Sequence, residues 1–97
     1  MAAKAFPKTF TLLGHTVKIV TRKDLYDEAE CYGRWTMSDM KIEIDTGHAG
    51  ESLQWHSLFH EITHAVLDLT GYPKESKDET FVDTLGGAYA QVHRSLK

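Results

Sequence analysis

Phe59-His60-Glu61-Ile62-Thr63-His64-Ala65-Val66-Leu67 is the stretch on which the reading of this chain turns. On an α-helix, His60 and His64 stand one turn apart and point the same way. Two imidazoles so placed can hold one zinc ion, and Glu61 between them can reach a water on that metal. The alternative is two surface histidines on an amphipathic helix, so the surroundings of the run decide its meaning.

The run belongs to a helix predicted over Glu51 to Thr70, with Gly71 at its C-terminal cap and Pro73 preventing continuation. At about 100° per residue, Trp55, Leu58, Phe59, Ile62, Val66 and Leu69 fall on one stripe, expected to pack on a sheet. His60 and His64 lie roughly opposite that stripe, beside Leu53 and Leu67. The helix must therefore be covered on two sides, with Glu61 between the two faces. His56, His60 and His64 together span about 12 Å of helix axis, too far for three rings to converge on one tetrahedral ion. Only the His60/His64 pair encloses a Glu, and His56 is expected at the surface or behind a ligand.

Outward from the helix, Thr9 to Thr21 alternates as a hairpin turning at Gly14-His15, with Val17 and Ile19 on one side. Arg22 to Gly33 reads equally as a loop or as a short helix opened by Thr21 and Asp24, carrying Leu25 and Ala29 and ended by Gly33. Arg34 to Ser38 and Met40 to Asp45 form a second hairpin around Ser38-Asp39. Trp35 and Met37 share one side of its first strand, and Ile42 and Ile44 one side of the other. Thr46 to Gly50 is a loop. A second long helix is expected over Lys77 to Ser95, with Ser76 as N-cap and Glu79 at capping-box spacing.

Catalytic zinc commonly takes three protein ligands and leaves one position open. On the second helix, Glu79, Asp83, Gly86 and Ala90 share a stripe, and the two small residues would let that helix approach the first. Glu79 is then the expected third ligand, against a purely structural role as the capping-box partner of Ser76. Asp78 is a rival that turns away from the stripe. Asp83, one turn on, is expected to accept a hydrogen bond from the free N–H of a ligand imidazole; the alternative is a solvated charge. His93, at the stripe's edge, reads as a helix-end residue, and Cys31 as a small buried one.

With 97 residues, the chain has room for a single domain over 1–97. A net charge of −3 without a basic cluster argues against nucleic acid as the main partner. No segment approaches the ~20 apolar residues of a membrane span, and Met1 to Phe10 lacks a signal-peptide core. Cys31 is the one cysteine, so no internal disulfide can form, which fits a cytoplasmic location.

The run from Phe59 to Leu67, followed by Glu79-Thr80-Phe81-Val82-Asp83, resembles the zincin metallopeptidases that use a glutamate as third ligand, the gluzincins. The short spacing is most similar to small bacterial and phage-encoded ImmA/IrrE-like and SprT-like domains, and the strand Lys41-Ile42-Glu43-Ile44-Asp45 is similar too. The resemblance spans Arg34 to Ala90. It implies His60, His64 and Glu79 as zinc ligands, Glu61 as general base and Asp83 as the carboxylate behind a ligand. Such enzymes add a Tyr or His at the oxyanion, for which Tyr32, Tyr72, Tyr89 and His93 are the candidates.

The expected fold is α+β: a small antiparallel or mixed sheet, two main helices on one face, and zinc between the helices. The expected function is a zinc-dependent endopeptidase acting on a protein or peptide substrate. An extended substrate would add itself along Met40 to Asp45, with Lys41, Glu43 and Asp45 discouraging stray pairing. The alternatives are a zinc-containing regulatory or binding module that does not cut, and a metal-free helical interaction module.

Overall fold

The computed structural model describes residues 6–96; Met1 to Ala5, part of the stretch scanned for a leader, and Lys97 lie outside the described residues. Strands β1 (Thr9–Leu12) and β2 (His15–Arg22) form the first hairpin, with Leu12 opposite His15. Its turn is Leu13-Gly14, one residue earlier than expected, with φ of 52° and 81°. A two-residue hairpin needs positive φ at both positions to match the strand twist, and His15 is already in the ladder. Helix α1 (Leu25–Ala29) buries Leu25 completely. It ends at Glu30, which takes the left-handed conformation at φ 54°, and not at Gly33.

Gly33 instead opens β3 (Gly33–Thr36), which a 3-10 turn over Met37–Asp39 connects to β4 (Lys41–Asp45). Met37 thus leaves the strand and is 50% exposed, where it was expected to share Trp35's side. The sheet order is β1-β2-β4-β3, antiparallel except for the parallel β2/β4 pair, so the sheet is mixed. This corrects the expected substrate edge. Strand β4, residues 41–45, is paired on both sides, with Ile42 beside Ile19 and opposite Trp35. Its backbone groups are spent within the sheet, and the strands open on one side are β1 and, beside β4, β3.

Helix α2 (Glu51–Leu69) lies on the sheet, and α4 (Glu79–Ser95) packs along α2, with the short α3 (Pro73–Ser76) between them. Val17, Ile19, Ile42, Ile44 and Leu58 form the core, flanked by Trp55 and Ile62 from α2. Val66, expected on the buried stripe, is 37% exposed. Helix α2, about 28 Å long, outruns the roughly 17 Å of β4. The far end of α2 is tied down differently, by Trp35 Nε1 donating to Asp68 at 2.9 Å.

On the opposite sheet face, Glu43 accepts from Arg22 at 2.9 Å and from Arg34 at 3.0 Å. Asp45, fully buried, accepts the backbone N–H groups of Tyr26, His48 and Ala49, which shapes the loop leading into α2. Gly47 is required there, because a Cβ would sit 1.9 Å from the Lys23 carbonyl oxygen. Burial opposes ionisation of both acids. The arginines beside Glu43 and the backbone donors around Asp45 outweigh it and hold both carboxyls below their usual values. A depressed folded-state pKa stabilises the fold above the unfolded-state pKa and is lost as pH falls. Their contribution to the urea midpoint should therefore be full above roughly pH 4.5 and be lost below it, and Glu43→Gln should flatten that loss.

Candidate metal centre

Helix α4 begins where Asp78 caps it, its carboxylate accepting from the Phe81 backbone N–H at 3.1 Å. Ser76, expected in that role, instead ends α3 and is buried. Moving the cap to Asp78 puts Glu79 at the first helical position and Asp83 one turn later on the same face. Neither acid is needed to cap the helix, so both can face α2. The approach is close because Gly86 lies against the α2 backbone: a Cβ there would stand 2.8 Å from His60 Cα. Gly86 and Ala90 are both buried, as their spacing implied.

The predicted ligands converge. Glu79 Oε1 lies 3.2 Å from His60 Nε2, and Glu79 Oε2 lies 3.4 Å from His64 Nε2. The two imidazole centroids are 5.0 Å apart. The far nitrogen of each ring is also held: His60 Nδ1 by Asp83 at 3.0 Å, His64 Nδ1 by the Ser76 hydroxyl at 3.0 Å. Asp83 thus sits where it was expected. Ser76 as a partner of His64 was missed, because its place before an acidic helix start read as a cap.

The chemistry of the donor set can be tested against a cation. Ionised carboxylates only accept, and His60 faces one at each nitrogen; the tautomer compatible with a cation carries its proton at Nδ1, facing Asp83. In the neutral ring, the Nε2 lone pair then points at a Glu79 oxygen. Two lone pairs face each other unless a proton or a cation lies between them. A tetrahedral zinc with bonds of roughly 2.0–2.1 Å separates its ligand atoms by about 3.3 Å. The 3.2 and 3.4 Å spacings, each to a different Glu79 oxygen, are close to that separation. Two neutral nitrogens and one carboxylate oxygen are also a donor set suited to zinc.

Glu61 is buried against β3 and lines the same cleft as both rings. Burial pushes its carboxyl up, while His60, His64 and the Trp35 backbone N–H favour the ionised form. Gly33 makes room for it, since a Cβ there would lie 3.1 Å from Glu61 Cγ. A cleft of about 560 Å³ opens over Glu61, walled by β3 on one side and by His60, His64, Glu79 and Asp83 on the other.

The edge of β3 faces this cleft. Asp45 N–H donates to Tyr32 C=O, and Gly33 pairs with Ile44. Antiparallel alternation then turns the backbone groups of Arg34 toward β4 and those of Gly33 and Trp35 toward the open edge. Of the four oxyanion candidates, Tyr32 lines the cleft; Tyr72, Tyr89 and His93 do not. His93 packs against Trp55 and Phe59, with centroids 4.9 and 5.3 Å away. Cys31 lines the cleft wall without joining the donor cluster, and burial raises its thiol pKa.

His56 is drawn into the same network. Its Nε2 lies 2.9 Å from the Asp83 oxygen that also meets His60. His56 first, and His60 after it, hold the Asp83 carboxyl below the usual range against a smaller opposing effect of desolvation.

No protein family profile matches the chain. No curated protein matches it, and no solved structure matches it. Among the described residues, no helix is long and apolar enough to cross a membrane.

Proposed function

We propose that this protein is a zinc-dependent metallopeptidase, with His60, His64 and Glu79 as the metal ligands and Glu61 as general base. The observation that carries the reading is the meeting of two imidazole Nε2 atoms with the oxygens of one carboxylate, at 3.2 and 3.4 Å, in a cleft that a buried glutamate also lines. Bound zinc would supply Lewis acidity, lowering the pKa of water and polarising a peptide carbonyl. Glu61 would take the proton of the attacking water and pass it to the leaving amine. The upward push of burial on its carboxyl suits both halves of that task. Gly33 on the β3 edge would orient an extended peptide through backbone hydrogen bonds, in the role first expected of residues 40–45. Asp83 and Ser76 would hold the rings so that both Nε2 atoms stay aimed at the centre.

The reading includes a protein or peptide substrate and no nucleic acid, and a cytoplasmic location resting on the single cysteine. One feature favours the alternative of a non-cutting zinc-containing module. Phe81, Tyr89 and Val92 on α4, with Leu96 just after it, are exposed apolar side chains of the kind that serve binding.

The centre itself is tested by metal titration. One zinc per chain should bind and raise the melting temperature, and a chelator should reverse the rise. Glu79→Ala should weaken binding, and His64→Ala should abolish it at micromolar zinc. A native chain that takes up no zinc rejects the proposal.

A further inference from the structure

Three side chains in a row sit behind the centre, and the outermost of them has no part in the reading so far. Asp83 Oδ1 lies 3.0 Å from His60 Nδ1 and 2.9 Å from His56 Nε2. His56, His60 and Asp83 also form a second group of donor atoms within 4.8 Å of one another. That group is a poor site for a second ion. A neutral imidazole offers one lone pair, and His60 can give it to one cation only. Spending it at Nδ1 would put the ring proton at Nε2 and remove His60 from the cluster with His64 and Glu79. The alternative is that both rings donate to Asp83. An ionised carboxylate oxygen can accept both protons.

We infer that His56 is a positioning residue, which clamps Asp83 against His60 Nδ1 and so fixes the tautomer that aims His60 Nε2 at Glu79. The inference rests on the proposed ligand set. Asp83 needs such a clamp because its side chain is 58% exposed and would otherwise share its carboxylate with water. His56 is suited to provide it. Its own ring is seated on Gly87, where a Cβ would come within 2.8 Å of Cε1, so the bare glycine allows the ring to approach α4 closely. The i, i+4, i+8 spacing of His56, His60 and His64 thus acquires a division of labour. Two rings face the ion, and the third holds the acid that orients one of them.

The test has two arms, one independent of metal. In apo protein at a fixed neutral pH, nitrogen NMR should show His60 protonated at Nδ1. His56→Ala should turn that signal into a mixture of tautomers. His56→Gln, whose amide N–H can still reach Asp83, should restore it. In the second arm, zinc affinity is read by competition with a chelating dye. Removing an outer partner of a ligand typically costs 10- to 100-fold, so Asp83→Ala should fall in that range and His56→Ala near its lower end. His56→Ala should add nothing in an Asp83→Ala background, because it acts through Asp83. A His60 tautomer unchanged in His56→Ala overturns the inference. So does an affinity loss that persists undiminished without Asp83. A native protein that binds no zinc removes the metal reading alone, and the NMR arm still decides whether His56 sets the His60 tautomer.

Discussion

Glu61→Gln is expected to retain zinc at native stoichiometry while peptide cleavage falls by about 10²–10⁴-fold, the range for loss of a general base. Gln fills the same space against Gly33 and keeps an oxygen for the Trp35 backbone N–H. The three proposed ligands are unchanged, so metal content should not move. What is lost is the ability to take a proton. Stability supplies an independent reading of the same substitution. Burial pushes the Glu61 carboxyl up, which means that holding it ionised at neutral pH opposes folding. A raised folded-state pKa stabilises the fold below the unfolded-state value, and that contribution disappears as pH rises through the folded-state value. The neutral Gln escapes this cost, so its urea midpoint at pH 7 should equal or exceed that of the native chain. Loss of activity together with unchanged or higher stability is the signature of a catalytic group kept at a cost to the fold. Native-rate cleavage by zinc-loaded Glu61→Gln sinks the mechanism. Absence of cleavage in the native protein, with zinc bound, leaves the non-cutting module as the function.

The parts of this arrangement that sequence made legible are those governed by short-range spacing. His60, Glu61 and His64 lie on one helix, so their relative placement follows from helix geometry alone. Glu79, Asp83, Gly86 and Ala90 are likewise on one helix, and their common face followed from the same rule. Legibility ended where long-range pairing decided. Nothing local in Lys41–Asp45 distinguishes an edge strand from a central one. Its alternation of Ile with charged residues reads as a half-exposed strand. The charges are in fact satisfied within the fold: Glu43 by Arg22 and Arg34 from the two neighbouring strands, Asp45 by backbone N–H groups. The parallel β2/β4 pairing that makes β4 central joins segments some twenty residues apart, with α1 between them. Ser76 and Asp78 show the same limit at short range. Both residue types cap helices well, and the choice between them rested on whether Pro73 would open a separate turn. It does, Ser76 closes that turn, and its hydroxyl is left to hold His64.

Gly86→Ala should be the most damaging substitution that removes no functional group. A Cβ at position 86 would meet His60 Cα at 2.8 Å, His60 N at 2.9 Å and the Phe59 carbonyl oxygen at 3.0 Å. All three are backbone atoms of α2, held in its ladder, so they cannot yield as a side chain would. Helix α4 must retreat instead. Two effects of opposite sign compete. Replacing a mid-helix Gly by Ala contributes about 1 kcal/mol of helix propensity, while overpacking a close contact costs about 1–3 kcal/mol. The contact is to main chain, which places the cost at the upper end, so the net effect is destabilising, visible as a lower urea midpoint. The functional consequence should be larger than the structural one. Glu79 and Asp83 ride on α4, and His60 on α2, so any retreat stretches the 3.2 and 3.0 Å distances together. Zinc affinity should then fall by at least the 10- to 100-fold typical of losing an outer partner. Gly87→Ala provides the contrast one residue on. Its Cβ would meet only the His56 ring, an exposed side chain that can turn aside at the expense of its 2.9 Å contact with Asp83. The propensity gain then stands with little to oppose it, and that variant should melt at or above the native temperature. If Gly86→Ala also melts no lower than native and binds zinc as tightly, the two helices are not held at the separation on which the centre depends.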